Sequence, residues 1–252
     1  MGLRLRGAPD RYPIPPDRLH FLVSGRDDVD VHDYFRIGQE CAAGIRDLLA
    51  TQSLTLEEAQ PILDFGCGCA RVLRHLCATR PSELYGTDIN AEQIAWCRAN
   101  LPFASFGVNG PTPPLRFTED SLGLVYSFSV FTHLTRELQR AWLLELLRVL
   151  RPGGHLVITT HGEAHAQSCL EGHDLDRFRS GSLVVVHPQA ANIPDTYAAC
   201  AAYHPEGYVM DHLAPEFELV EFRRGGVVDQ KRGLIGQDVY FLRKPRRRTA
   251  HG

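Results

Sequence analysis

Apolar residues recur at spacings of three and four between residues 32 and 51. That period is typical of an α-helix that buries one face, so a helix is predicted there. The residues before it, 1–30, form a proline-rich segment that shows no such period. We therefore expect an irregular lead-in followed by one long amphipathic helix.

Beyond Pro61 the pattern changes to short apolar runs that alternate with helical segments. Runs of this length and apolarity are typical of buried strands in a parallel sheet. We predict strands at 62–65, 83–88, 104–108, 122–130 and 155–160, and helices at 70–78, 91–100 and 136–150. Strands that alternate with helices predict an α/β fold with a mainly parallel sheet.

The regular alternation ends after residue 162. In the segment that follows we predict strands at 182–186 and 197–203 and a short helix at 206–213. Two strands at 217–224 and 238–243 then close the chain as an antiparallel edge. A long departure from a regular fold is typical of a substrate-binding insertion, which we place at about 163–215.

The composition is that of a soluble globular protein. Of the 252 residues, 44% are hydrophobic and 23% are charged, which excludes disordered and collagen-like chains. No stretch approaches the roughly 20 consecutive apolar residues of a membrane helix, and the first residues lack the apolar core of a signal peptide. We therefore expect a cytoplasmic protein with no membrane partner.

Charge and cysteine content narrow the function classes further. A net charge of −3 gives no global electrostatic reason to expect nucleic acid as a partner. Seven cysteines, an odd number spread along the chain, predict reduced thiols and not a disulfide framework. The pattern leaves both a monomer and an oligomer open.

A glycine turn follows the first predicted strand. Gly66 and Gly68 stand between that strand and the next predicted helix, where glycine lets the backbone approach a ligand near a helix N-terminus. The dinucleotide fingerprint would require glycine at the position of Arg71. Asp88, at the end of the second strand, is placed to accept hydrogen bonds from ribose hydroxyls. Nicotinamide and adenosylmethionine folds both use an acid there, so these residues leave both cofactors open.

Four segments carry a family resemblance. They read ILDFGCGCARVLRHL at 62–76, LYGTDIN at 84–90, LVYSFSVFTHL at 124–134 and LRVLRPGGHLVITTHG at 147–162. In this order and at these intervals they resemble the class I S-adenosylmethionine-dependent methyltransferases. One departure is Ala70, where many members have a third glycine. The resemblance implies S-adenosyl-L-methionine as cofactor and a Rossmann-like α/β fold: a seven-stranded, mainly parallel sheet with helices on both faces and an antiparallel C-terminal strand.

The resemblance also implies which residues bind the cofactor. It assigns the methionine end to Asp64, Gly66 and Gly68, the ribose to Asp88, the adenine to Ile89, Asn109 and Gly110, and the methyl-donor region to Ser127 and Ser129. Each residue type also has a plainer interpretation. The glycines could serve a tight turn, Asp88 could cap a helix, Asn109 and Gly110 could form a turn dipeptide, and the serines could be small packing residues.

A neutral alcohol acceptor needs a base for its proton, and histidine titrates nearest to physiological pH. His161, just after the fifth strand, is the first candidate, His133, just after the fourth, is the second, and His204 in the insertion is the third. The alternative for each is a solvated loop histidine. Metal-dependent catechol methyltransferases need extra carboxylates beside these two strands, where this chain has Ser127 and Thr160. A metal-independent reaction is therefore predicted.

The lead-in and first helix resemble the N-terminal cap of bacterial methyltransferases that act on sugars, glycolipids and other secondary metabolites. On this basis we expect a lead-in with a cap helix at 1–58, the methyltransferase domain at 59–244 and a basic flexible tail at 245–252. The expected activity is O-methylation of a small-molecule, natural-product or saccharide acceptor.

Two other functions stay open from the sequence. A methyltransferase for RNA or protein has its support in the basic run from Arg243 to Arg248, which is also typical of a solvated tail. A non-catalytic protein that binds S-adenosylmethionine would keep the glycine turn and Asp88 and lack turnover.

Overall fold

The computed structural model describes residues 12–19, 31–77, 83–187, 200–226 and 236–246. They belong to two compact units, residues 1–111 and residues 112–252. No helix in these ranges is long and apolar enough to cross a bilayer. The boundaries at 58 and 244 that the sequence suggests remain predictions.

The first unit holds three parallel strands and two long helices. Its elements are α1 (Val31–Thr51), β1 (Ile62–Phe65), β2 (Leu84–Asp88), α2 (Ala91–Asn100) and β3 (Ser105–Val108). Strand β2 pairs with β1 on one side and with β3 on the other, in parallel on both. Parallel neighbours end at the same edge, so Phe65, Asp88 and Val108 bring their carboxyl ends together. The predicted helix and strands of this unit are confirmed, with one exception.

The exception is the helix predicted at 70–78. The described residues 70–77 form turns and one 3₁₀ turn, Leu73–His75. Ala70 has a left-handed backbone with φ of 58°, and the His75 N–H donates to the Val72 carbonyl at 2.9 Å, as in a 3₁₀ turn. Val72, Leu73 and Leu76 are nevertheless buried, as expected of the inward face of the predicted helix, whereas Cys77 is only partly buried. The predicted element is therefore wrong and most of its predicted burial is confirmed.

Helix α1 packs against this irregular segment. The Tyr34 hydroxyl donates to the Cys69 carbonyl at 3.0 Å, and Tyr34 is fully buried. A Cβ on Gly38 would lie 2.1 Å from the carbonyl oxygen of Arg71, so only glycine allows this approach. Helix α1, which the sequence assigned to an N-terminal cap, therefore contacts the segment of the glycine turn.

The second unit holds the other four strands of the large sheet. They are β4 (Leu122–Ser127), β5 (Leu150–Thr160), β8 (Glu218–Arg223) and β9 (Asp238–Arg243), and helix α3 (Arg136–Val149) joins β4 to β5. Strands β4 and β5 are parallel, whereas β9 is antiparallel to both β5 and β8. Seven strands in a mainly parallel sheet with an antiparallel C-terminal pair were predicted, and both features are confirmed.

Two predicted boundaries in this unit are wrong. Strand β5 begins at Leu150, directly after α3, whereas the prediction started it at 155. The Gly153 N–H donates to the Lys244 carbonyl, and the Lys244 N–H donates to the Gly154 carbonyl. These two bonds keep the residues between Leu150 and His155 in the strand. Strand β4 ends at Ser127, and not at 130, because Ser129 takes a left-handed φ of 60° and Phe131–His133 forms a 3₁₀ turn.

The described part of the insertion holds more secondary structure than the sequence predicted. It contains α4 (Glu163–Cys169), α5 (Gly172–Arg179), the antiparallel strands β6 (Val184–Val186) and β7 (Ala201–Tyr203), and α6 (Glu206–Tyr208), which continues as a π-turn at Val209–Leu213. Helices α4 and α5 were not predicted. A small apolar cluster ties them to the strands through Ala166, Leu170, Phe178, Val184 and Tyr203. Of the strand predicted at 197–203, residues 197–199 lie outside the described ranges.

Candidate functional site

The turn after β1 is built from left-handed residues. The N–H groups of Gly66 and Cys67 both donate to the Thr87 carbonyl, at 2.8 and 3.0 Å, which ties the turn to the end of β2. Gly66, Gly68 and Ala70 have φ of 81°, 52° and 58°. Glycine adopts this conformation freely, whereas Ala70 holds it at a cost in strain. The turn is therefore a rigid, preformed concave backbone.

Asp88 has its carboxylate anchored beside this turn. One carboxylate oxygen accepts from the Gly68 N–H and the other from the Asn90 N–H, each at 2.8 Å. Asp88 is 7% exposed, and burial raises its pKa while these backbone bonds oppose the rise. The plainer interpretation of Asp88 as a helix cap is wrong, because the cap of α2 is Asn90, whose side chain accepts from Glu92 and Gln93.

An apolar ledge lies next to Asp88. Ile89 is 41% exposed and Val108 is 39% exposed, and Val108 is the register partner of Asp88. The Asn109 N–H donates to the Asp88 carbonyl at 3.1 Å. The Asn109 Oδ1 atom is buried and meets no hydrogen-bond partner within the described ranges. Two exposed apolar side chains with a buried acceptor at their edge suit a planar heterocycle.

Asp64 lies inside β1, opposite Gly86 in the register, and is 4% exposed. Burial, with a smaller contribution from the charge of Asp64, raises the pKa values of the nearby thiols, to about 11 for Cys41 and well above the ordinary value for Cys67. The Sγ atoms of Cys67 and Cys97 instead contact the Gly68 carbonyl at 3.6 and 3.5 Å. These thiols stay protonated and pack against the backbone of the turn.

The second unit carries the two serines of the predicted cofactor site. Ser127 is fully buried, and its Oγ has no hydrogen-bond partner in the described part of the chain. The Ser129 N–H donates to Thr159 Oγ1 at 2.8 Å, and Ser129 Oγ lies 3.1 Å from Gln237 Oε1. Their role toward the cofactor remains a prediction, as does that of Gly110 on the first unit.

Both predicted catalytic histidines lie in one array of rings in the second unit. The centroids of His133 and His161 are 6.2 Å apart. His161 also stacks on His165, with centroids 4.5 Å apart, and lies 5.3 Å from the Tyr203 ring. His133 is exposed, and its Nδ1 lies 3.3 Å from the Cys200 carbonyl.

The histidines differ in their electrostatics. Burial, followed by the neighbouring histidines, lowers the pKa of His161 to about 3. The ring of His161 hydrogen-bonds the backbone of Ala202, and its Nδ1 is buried with no partner in the part of the chain described. Burial also lowers the pKa of His133, and the bond to the Cys200 carbonyl opposes this. Both rings are neutral near pH 7.

His204, the third candidate base from the sequence, is 0% exposed, so it cannot contact a molecule that accepts the methyl group. Its Nε2 contacts Gln139 Oε1 at 3.0 Å, and burial lowers its pKa to about 3. Gln139 was not singled out from the sequence. It could have been, because Gln139 interrupts the apolar stripe that Trp142, Leu146 and Val149 continue at helical spacing on α3. Cys200 gave no such signal.

The remaining cavity and the other possible metal ligands of the described residues add nothing to the candidate site. A cavity of about 360 Å³ in the first unit is lined by Ile62 and Leu84, the first residues of β1 and β2, and so lies at the opposite edge from the glycine turn. The described residues contain no group of three or more His, Cys, Asp or Glu side chains placed to hold a metal ion. All seven cysteines lie in those ranges, and none of them forms a disulfide bond there.

Residues 63–158 match the protein family described as Methyltransferase domain. Malonyl-(acyl-carrier protein) O-methyltransferase of Methylococcus capsulatus is 34% identical over 131 residues, which cover 51% of this chain and 44% of that protein. Fatty-acid O-methyltransferase of Mycolicibacterium smegmatis is 32% identical over 104 residues, which cover 40% of this chain and 37% of that protein. The chain thus spans less than half the length of these curated relatives.

Solved structures share the fold at low sequence identity. Magnesium protoporphyrin IX methyltransferase from Synechocystis, with bound SAH, has a TM-score of 0.57 at 14% identity and covers 90% of this chain and 93% of its own. A glycopeptide N-methyltransferase complexed with S-adenosyl-L-homocysteine has a TM-score of 0.53 at 15% identity and covers 81% and 87%.

These findings confirm the Rossmann-like fold class that the sequence motifs predicted. Residues 63–158 are therefore similar to the family of methyltransferase domains, and the fold is shared with solved methyltransferases that bind S-adenosyl-L-homocysteine. S-adenosyl-L-methionine is the cofactor of that family, as the resemblance implied.

Proposed function

We propose that the protein is an S-adenosylmethionine-dependent methyltransferase that O-methylates a small-molecule, natural-product or saccharide acceptor without a metal ion. The observation that carries this proposal is the anchored carboxylate of Asp88 between the left-handed turn at Gly66–Ala70 and the apolar ledge of Ile89 and Val108.

The residues of the first unit fit the cofactor. The Asp88 carboxylate accepts backbone bonds from Gly68, Ile89 and Asn90, and its roughly four lone-pair sites leave one for a ribose hydroxyl. Ile89 and Val108 offer apolar surface to the adenine ring, and the unpaired Asn109 Oδ1 can accept from its amino group. Asp64 and the glycine turn would hold the methionine end.

The cofactor supplies an activated methyl group on a sulfonium, so the protein must orient an acceptor oxygen and, where that oxygen is a hydroxyl, accept its proton. We assign the proton to Nε2 of His133. Because Nδ1–H donates to the Cys200 carbonyl, the lone pair lies on Nε2, and the lowered pKa keeps the exposed ring neutral. His161 supports this role less well, because its lone pair is on the buried Nδ1 and a pKa of about 3 makes it a weak base.

Several observations favour O-methylation of a small acceptor. The two curated relatives are named for O-methylation of a fatty acid and of malonyl-(acyl-carrier protein). The ends of β4 and β5 carry the hydroxyls of Ser127 and Thr160, where metal-dependent catalysis would call for carboxylates.

The alternative of an RNA or protein substrate loses its main support. Arg243 pairs with Glu218 at 2.7 Å, and Lys244 Nζ binds Asp120 at 2.6 Å and the Leu147 and Leu150 carbonyls at 2.8 Å. These two cations of the basic run serve the fold. Residues 247–252 of the expected tail lie outside the described ranges.

Calorimetric titration with S-adenosylmethionine, S-adenosylhomocysteine and NAD tests the cofactor part of the proposal. We expect binding of the first two ligands and none of NAD. Asp88→Ala should weaken S-adenosylhomocysteine binding at least about tenfold, because charge-assisted hydrogen bonds are worth about 1.5–3 kcal/mol each. Asp47→Ala, an exposed position on α1, is the matched control and should bind normally.

Equal affinity in wild type and Asp88→Ala would remove Asp88 from the cofactor site. Binding of NAD alone would overturn the proposal. Cofactor binding without turnover across hydroxylated and carboxylated small acceptors would favour the non-catalytic alternative.

A further inference from the structure

Gln139 is fully buried, and its side-chain amide hydrogen-bonds the turn that contains His133. Its Nε2 donates to the Phe131 carbonyl at 3.2 Å and to the Leu134 carbonyl at 2.8 Å. These carbonyls lie on either side of His133 in the chain. Because two carbonyls take both amide hydrogens, the Oε1 end of Gln139 must face a donor.

His204 supplies that donor. Its Nε2 lies 3.0 Å from Gln139 Oε1, so Nε2 carries the hydrogen, and burial keeps the ring neutral by lowering its pKa to about 3. The His204 backbone N–H donates to the His161 carbonyl at 2.8 Å, which ties it to the end of β5. Neither ring nor amide reaches solvent, so the pair can act only through other residues.

Both ends of strand β7 therefore contact the same turn. Cys200, just before β7, accepts from the His133 ring at 3.3 Å. His204, just after β7, holds the turn's backbone through Gln139. Residues at the two ends of β7 thus fix both the ring and the backbone of His133.

We propose that Gln139 and His204 are a positioning pair that holds His133 as its Nδ1–H tautomer, with Nε2 free to accept a proton. Only the use of that Nε2 as a base rests on the proposed function. The buried Gln139 amide has partners for both of its hydrogens and for its oxygen, and it keeps one geometry because rotating it would leave buried polar atoms without partners.

Nitrogen NMR of the full-length chain labelled with ¹⁵N-histidine tests this proposal, because the ring shifts separate the two neutral tautomers from the cation. His133→Asn identifies the His133 signals by their loss. In the wild type we expect the Nδ1–H tautomer near neutral pH. In Gln139→Met we expect a mixture rich in Nε2–H, together with a pKa that rises toward about 6.5 as the ring becomes more exposed.

His204→Phe removes only the donor to Gln139 and should move His133 in the same direction by a smaller amount. The matched control is Glu145→Gln on the same helix. Glu145 is also buried and accepts from the Leu115 N–H at 2.7 Å, so its substitution perturbs α3 and should leave the His133 signals in place.

An Nε2–H tautomer in the wild type would overturn the proposal without any variant. Wild-type tautomer and pKa in folded Gln139→Met would also overturn it, and His204→Phe decides in the same way if the first variant does not fold. The spectra need neither cofactor nor acceptor. Absence of S-adenosylmethionine binding would therefore overturn the proposed function without affecting the positioning pair. An unchanged His133 tautomer in the variants would overturn the positioning pair without affecting cofactor binding.

Discussion

Asp88 and His133 each commit part of their side chain to the backbone and leave part for a ligand. Asp88 accepts the N–H groups of Gly68 and Asn90, and His133 donates to the Cys200 carbonyl. Such bonds decide orientation and, for His133, the tautomer. A residue type at a strand end becomes a specific chemical group only through partners that are distant in sequence.

The assignment of the base predicts a difference between two neighbouring histidines. His133→Asn should lower turnover of an acceptor found by screening roughly 10²–10⁴-fold, which is the contribution expected of a general base. His161→Asn should cost less. Both variants should bind S-adenosylhomocysteine as the wild type does.

The pH profile gives a second readout for His133. A base must be neutral, so kcat/KM should fall as pH drops through the pKa of His133, which lies below its ordinary value of about 6.5. If kcat/KM already falls at a pH above about 6.5, the base is not His133. The same conclusion follows if His161→Asn loses more turnover than His133→Asn.

At the scale of elements, the segment after β1 departs from its sequence pattern. It buries Val72, Leu73 and Leu76 as a helix would, yet it consists of turns and a 3₁₀ turn. Helix α1 supplies the support through Tyr34 and Gly38. The segment that holds the glycine turn therefore packs against a helix that lies outside the matched family segment.

Gly38→Ala tests that packing. In a free helix alanine is favoured over glycine by about 0.8–1.0 kcal/mol, so the substitution alone would stabilise α1. Here the new Cβ meets the Arg71 carbonyl, and we expect a loss of about 1–3 kcal/mol in urea unfolding together with weaker S-adenosylhomocysteine binding.

Ala43→Ser, on the exposed face of α1, is the control for Gly38→Ala and should change neither quantity by much. A stabilised Gly38→Ala protein with normal affinity would show that α1 does not support the turn.

At the scale of the whole molecule, buried neutral histidines couple stability to pH. His155 is 5% exposed and stacks on Phe241, and burial followed by nearby arginines lowers its pKa to about 4. In the unfolded chain the pKa of His155 is about 6.5. Below that pH the unfolded chain therefore binds a proton that the folded chain does not bind. Stability is therefore full above about pH 6.5 and falls as pH drops toward 4.

His155→Phe should remove one such proton. Between pH 7.5 and 5.5 the variant should lose about 1.4 kcal/mol less stability than the wild type in urea unfolding. Buried Asp88 and Asp238 have raised pKa values and act in the opposite sense at lower pH, so the comparison with the wild type is the relevant quantity. An identical loss in both proteins would contradict a neutral His155.

Much of the fold was readable from local pattern. Strand β1, helix α2 and strand β9 were predicted at their observed bounds, because apolar period and capping are properties of neighbouring residues. Helices α4 and α5 were missed because they are short and bury their few apolar residues against strands β6 and β7. The order of candidate bases also changed once the partners of His133 and His161 were known.

The sequence by itself determined the alternation of strands and helices, the glycine turn with Asp88, and the methyltransferase motifs, because each depends on residues a few positions apart. Only the tertiary structure decided that α1 supports the turn, that Asn90 and not Asp88 caps α2, and that Gln139 and His204 hold the turn of His133. Those outcomes depend on burial and on hydrogen bonds between residues far apart in the chain, and the free energy of a buried polar group depends on the partner it meets there.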